Sequence, residues 1–139
     1  MERKFQIIGK SHNLLLFRND LRHLLAASGL EEDKVHEVLI AVQEVLTNIV
    51  RHGYGREVGK IWVTYHEDPE QIRISIRDLG KKFNFTELPE PKLPRESPGG
   101  LGIHLIRNAV DEIDYDAAVQ EGNLVHLVKY KYKEERGSL

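Results

Sequence analysis

Cysteine is absent from this 139-residue chain, which removes disulfides and every chemistry that runs through a thiolate. A reducing cytoplasm suits such a chain, and that is the compartment expected. No apolar run approaches the ~20 residues of a membrane span, and the opening MERKFQIIGK is too charged for a signal peptide. Charge of one sign is lacking too. Lys and Arg number 20 against 22 Asp and Glu, a formal balance of −2, so nothing pulls nucleic acid or an anionic membrane from a distance. Proline is scarce outside one place, for four of the five prolines fall between Gly80 and Gly100.

With 40% hydrophobic and 30% charged residues, the composition suits one domain over residues 1–139 with one core. RKFQIIG has the composition of a short strand. SHNLLLFRNDLRHLLAAS follows with helical spacing, with Ser11 placed to cap it and Gly29 to end it. A second helix is expected over Glu32–His52. KIWVTYHE and QIRISIRD alternate as the arms of an antiparallel hairpin around Glu67-Asp68-Pro69-Glu70. The proline-bearing KKFNFTELPEPKLPRESPGG is a long loop, GLGIHLIRNAV returns to helical spacing, and EIDYDAAV and NLVHLVKYKY close the chain as strands joined at Glu121-Gly122-Asn123. About five strands and three helices, segregated along the chain, predict an α+β two-layer sandwich.

Three stretches carry candidate chemistry. In the second helix Val35, Val38, Leu39, Val42, Val45, Leu46 and Ile49 form one apolar stripe, with Glu37, Glu44, Asn48 and Arg51 gathered nearly opposite. From periodicity alone a solvated face is the plainer explanation of those polar residues. Asn48 argues for more, because asparagine is a poor mid-helix residue whose oxygen suits a hard cation that takes few protein ligands when phosphates supply the rest. Glu44, one turn earlier, is then placed to act on a water or hydroxyl nearby. In RISIRDLG, Asp78 shares its parity with Ile72, Ile74 and Ile76, so its carboxylate points to the core side, either as a turn residue or as an acceptor for a base's amino group at a cleft rim. In SPGGLGIHLIR the glycines precede or open a helix, either as a flexible junction or as a turn whose backbone N–H groups approach an anion freely.

The order of these stretches resembles the boxes of the GHKL family of ATPases, which includes gyrase, MutL and the histidine kinases. Asn48 followed by Arg51-His52-Gly53-Tyr54, together with GGLGIHLIRNAVDEIDY, is most similar to the anti-sigma-factor serine-protein kinase branch, over about residues 5–132. The resemblance implies the Bergerat-type ATP-binding fold, a mixed, mainly antiparallel sheet with helices on one face. It implies ATP and Mg²⁺, with Asn48 as magnesium ligand, Glu44 as general base, Asp78 as the adenine-reading aspartate and Gly80 as the glycine that admits the base. Arg51, Gly100, Leu101 and Gly102 complete the nucleotide-binding set, and residues 81–99 form a lid. Two positions depart from relatives: Lys82 replaces a common second glycine, and Leu124-Val125-His126 stands where a threonine is frequent.

The seven histidines show no zinc spacing, with His52 and His104 expected as local polar groups at a helix end or in the cleft. No Gly-x-Ser-x-Gly is present, and Phe83 and Phe85 are expected to anchor the lid. Two functions follow from the resemblance. One is a protein-serine kinase and anti-sigma factor that phosphorylates a small antagonist protein, with a sigma factor as a second partner. The other is an ATP-gated module that sequesters its partner without chemistry. Neither contacts nucleic acid or membrane, and the resemblance allows a homodimer.

Overall fold

Alternation of Ile72, Ile74 and Ile76 with Arg73, Ser75 and Arg77 gives the strand Gln71–Asp78 one buried and one open face. In the computed structural model, which describes residues 1–55, 58–87 and 101–132, this strand is β3 of a five-stranded sheet ordered β1-β2-β3-β5-β4. The others are β1 (Glu2–Ile8), β2 (Lys60–Glu67), β4 (Glu112–Tyr115) and β5 (Asn123–Tyr130). The turn between β2 and β3 is held by Asp68, whose Oδ1 accepts the N–H groups of Glu70 and Gln71 at 2.8 and 2.9 Å. Every pairing is antiparallel, where the resemblance implied a mixed, mainly antiparallel sheet. The reason is the insertion of β5: β4 runs in the direction of β3, but β5 lies between them, so the parallel relation never becomes a hydrogen-bonded one.

Register sets Ile7, Ile61, Asp78 and Asn123 in one row across the sheet, followed by Phe5, Val63, Ile76, Val125 and Tyr115 in the next row of that face. These rows meet the apolar stripes of α1 (Ser11–Ala27), α2 (Glu32–Asn48) and α3 (Leu101–Ala109) in one core. Strand residues of a single parity enter that core, so the helices cover one face and the fold is the two-layer sandwich expected.

The helix ends differ in detail from the sequence reading. Lys10, extended at φ −108°, precedes α1 without a side-chain cap, and Ser11 is its first helical residue. Ser28 ends it with its hydroxyl donated to the Leu25 carbonyl at 2.6 Å, and Gly29 turns the chain at φ +89°. The second helix stays α-helical only to Asn48 and continues as a π turn over Ile49–Gly53. Such wide turns recur at functional sites because they rotate the residues that follow. The expected strand EIDYDAAV is regular only over Glu112–Tyr115. Beyond it Asp116 turns the chain, its carboxylate accepting the Ala118 N–H at 2.9 Å.

Glu37 is not a member of a free polar face. Its carboxylate takes the Lys129 ammonium at 2.6 Å, and the same ammonium donates to the Ala109 carbonyl at the end of α3, also at 2.6 Å. Lys129 is 4% exposed whereas the Glu37 side chain is 41% exposed, so the two halves of the pair are unequal. Glu37→Ala strands a buried ammonium on a single carbonyl and is expected to cost about 2 kcal/mol, while Lys129→Met leaves a carboxylate that can hydrate and costs under about 1 kcal/mol. Urea unfolding of both variants checks the order.

Candidate functional site

Asp78 ends β3 on the core side and is 0% exposed, so its carboxylate needs donors. One oxygen has them. Oδ1 accepts the Gly80 N–H at 2.8 Å and the Asn123 amide at 3.0 Å. Oδ2 is buried and has no partner among the described residues. Burial pushes the carboxyl above the usual aspartate range, and the Asn123 and Gly80 bonds draw it only part of the way back.

Asn123 is the residue that motif reading missed. Register sets it directly opposite Asp78, and its amide also donates to the Lys81 carbonyl at 3.0 Å. Its oxygen accepts the Phe83 N–H at 2.9 Å and the Tyr115 hydroxyl at 2.6 Å. Three of the four bonds fix the carboxylate and the segment after it, and the fourth ties the side chain to Tyr115 at the end of β4. Gly122 makes the approach possible: its φ is +66°, and a Cβ there would fall 1.9 Å from the Asp78 carbonyl oxygen.

The free Oδ2 belongs to a residue lining a cleft between α2 and the sheet, together with Val45, Asn48, Ile49, Phe83, Asn123 and Val125. Asn48 and Asp78, 30 residues apart in sequence, therefore meet in one place. Asn48 and Glu44 are half-buried, and the side chain of neither bonds to any described residue, so neither side chain is committed to holding the fold. The cleft is about 20 Å³, room for about one water. Phe83 narrows it. Its ring packs against the core and lies 4.8 Å from the His52 ring at an interplanar angle of 30°. A roomier groove of about 300 Å³ lies between α1 and α2, lined by none of the candidate site residues.

Gly80 lies beside this cleft through its bond to Asp78. Arg51 is exposed on the π turn and does not line the cleft. Leu101 and Gly102 are the first residues of α3, as expected for a helix opened by glycines, whereas Gly100 and residues 88–99 of the expected lid lie outside the described residues. The described part of that lid is tied down. The Lys82 ammonium donates to the Val119 carbonyl and Arg107 of α3 to the Thr86 carbonyl, which gives Lys82 a use that a glycine there would not have. His126, at the position expected for a threonine, faces the opposite side of the sheet and accepts from or donates to the Ser75 hydroxyl at 2.7 Å.

The arrangement offers an oriented, unsatisfied carboxylate oxygen for an N–H donor, an uncommitted amide oxygen, and a helix start for an anion. Residues 10–129 match the model of the histidine kinase-like ATPase domain. The chain is 28% identical to the serine-protein kinase RsbW of Bacillus mycoides (strain KBAB4), over 95% of this chain and 86% of that protein. It is 27% identical to the serine-protein kinase RsbW of Bacillus cereus (strain AH187) over the same shares. Its fold matches the crystal structure of the RsbU and RsbW domains of a Mycobacterium tuberculosis protein with a TM-score of 0.69 at 19% identity, covering 96% of this chain and 33% of that longer one. No helix among the described residues is long and apolar enough to cross a membrane.

Proposed function

The chain belongs to the histidine kinase-like ATPase domain family, and from that membership we propose that it is an ATP-dependent serine-protein kinase acting on a small antagonist protein in a partner-switching pathway. The observation that carries the reading is the buried, unpartnered Asp78 Oδ2 in the same cleft as Asn48. A carboxylate oxygen desolvated without a donor is costly unless a ligand supplies one, and the exocyclic amino group of adenine is such a donor. The names of the Bacillus relatives support the kinase activity.

Each residue has a part in the step. Asp78 Oδ2 accepts the adenine amino group while Asn123 and Gly80 hold Oδ1. The start of α3 at Leu101 and Gly102 receives the phosphates with its backbone N–H groups. The Asn48 side-chain oxygen is the protein's ligand for Mg²⁺, which when bound neutralises charge on the phosphates. Glu44 takes the proton of the partner's serine as its Oγ–P bond forms and the bond from the γ-phosphorus to the β,γ-bridging oxygen breaks, leaving ADP. The described cleft is too small for a purine, so Phe83 must leave its stack on His52 for the base to enter. The antagonist is the substrate, and a sigma factor is the second partner proposed.

Asn48→Ala tests the site. The Asn48 side chain bonds to no described residue, so the variant is expected to fold with an unchanged urea midpoint. Calorimetry should show that magnesium no longer strengthens ATP binding. An unchanged magnesium dependence removes Asn48 from the site and with it the shared-cleft reading.

A further inference from the structure

We propose that Tyr54 is a positioning residue that sets the spacing between the base-reading end of β3 and the Asn48 end of α2, and so couples purine recognition to capture of the phosphates. The inference rests on the ATP-binding reading above. Tyr54 lies immediately beyond the π turn, and its N–H donates to the Ile49 carbonyl at 3.0 Å, which fixes it one turn from Asn48. Its hydroxyl donates to the Lys60 carbonyl at 2.5 Å and accepts the Leu79 N–H at 2.9 Å. Leu79 sits between Asp78 and Gly80, the two residues that face the base. One side chain therefore links the helix that carries Asn48, the entry of β2 and the end of β3.

The ring is held as firmly as the hydroxyl. It lies over Gly59, where a Cβ would come within 2.3 Å of the ring carbons Cε1 and Cζ, so only glycine allows the tyrosine to reach across. Burial pushes the phenol above its ordinary range, and since a phenol is protonated at neutral pH in any case, the hydroxyl holds the proton that it donates to the Lys60 carbonyl. Asp78 itself stays oriented by Asn123 and Gly80 whether or not the hydroxyl is present. What the hydroxyl adds is the tie between two half-sites that a single nucleotide must span. A ligand gripped at both ends loses affinity when their separation is no longer fixed, even though each grip survives.

Tyr54→Phe keeps the ring over Gly59 and removes only the hydroxyl. ATP and GTP affinities measured by calorimetry with magnesium, on wild type, Tyr54→Phe, Asp78→Asn and the double variant, separate the possibilities. Tyr54→Phe is expected to weaken ATP about tenfold, to leave GTP within about twofold, and to add no further loss in the Asp78→Asn background. Gly59→Ala, which forces the ring aside with the hydroxyl intact, should reproduce the ATP loss. Unchanged ATP affinity in Tyr54→Phe overturns the proposal, as does an equal loss for ATP and GTP or a loss fully additive with Asp78→Asn, either of which marks a merely structural tyrosine. Failure of the wild type to bind ATP overturns the ATP-binding reading itself together with this inference.

Discussion

Glu44→Gln is expected to bind ATP within about twofold of wild type while transferring phosphate to the partner's serine at least about a hundredfold more slowly, the usual scale of a general base. The structure makes the substitution clean. Glu44 is half-buried on α2, one turn before Asn48, and its carboxylate bonds to no described residue, so removing its charge takes no bond from the fold. A glutamine keeps the shape and loses the ability to accept a proton. Transfer is followed with labelled ATP at saturating nucleotide, so that a change in affinity cannot mimic a change in rate. Equal rates in the two proteins would take Glu44 out of the reaction.

Asp78→Asn is expected to abolish the preference for ATP over GTP, a loss of at least about a hundredfold, because a site built to pair one donor discriminates heavily against the wrong partner. Stability should move the other way. An aspartate whose pKa is raised by burial favours the folded state in its protonated form, and that advantage is fully present below the unfolded pKa. It is lost as the pH rises through the folded value. Asparagine keeps the acceptor oxygen without a carboxylate that loses either its charge or its solvation on burial, so Asp78→Asn is expected to unfold at an equal or higher temperature at neutral pH while failing to select ATP. The same raised pKa makes wild-type ATP affinity fall on acidification at a higher pH than an ordinary aspartate would give, since a protonated Oδ2 no longer accepts. Calorimetry and thermal melts over a pH series read both effects. An ATP preference that survives in the variant would make Asp78 a turn residue and nothing more.

What could be read from sequence was whatever depends on local period. The stripe from Val35 to Ile49 is buried as its spacing implied, and the parity of Asp78 with Ile72, Ile74 and Ile76 placed its carboxylate in the interior. Contacts set by register were hidden. Asn123 meets Asp78 only because the chain crosses through α3 to β4 and returns as β5 between β3 and β4, and nothing local in the run NLVHLVKYKY announces that. Nothing local marks Lys129 either, yet that topology sets β5 in the sheet interior with its lysine against α2 and α3. The partner of Glu37 was hidden for the same reason. A helical wheel sorts residues by direction about one axis, and it knows nothing of a buried lysine on a strand 92 residues away.

The most direct test of the account is transfer itself. The purified chain is incubated with magnesium, ATP labelled in its γ-phosphate and a panel of small antagonist proteins, and the products are mapped by mass spectrometry. The account predicts label on one serine of an antagonist, present with wild type and nearly absent with Glu44→Gln. If the chain binds both ATP and an antagonist across that panel yet no serine is ever labelled, the kinase reading is contradicted and an ATP-gated binding module takes its place.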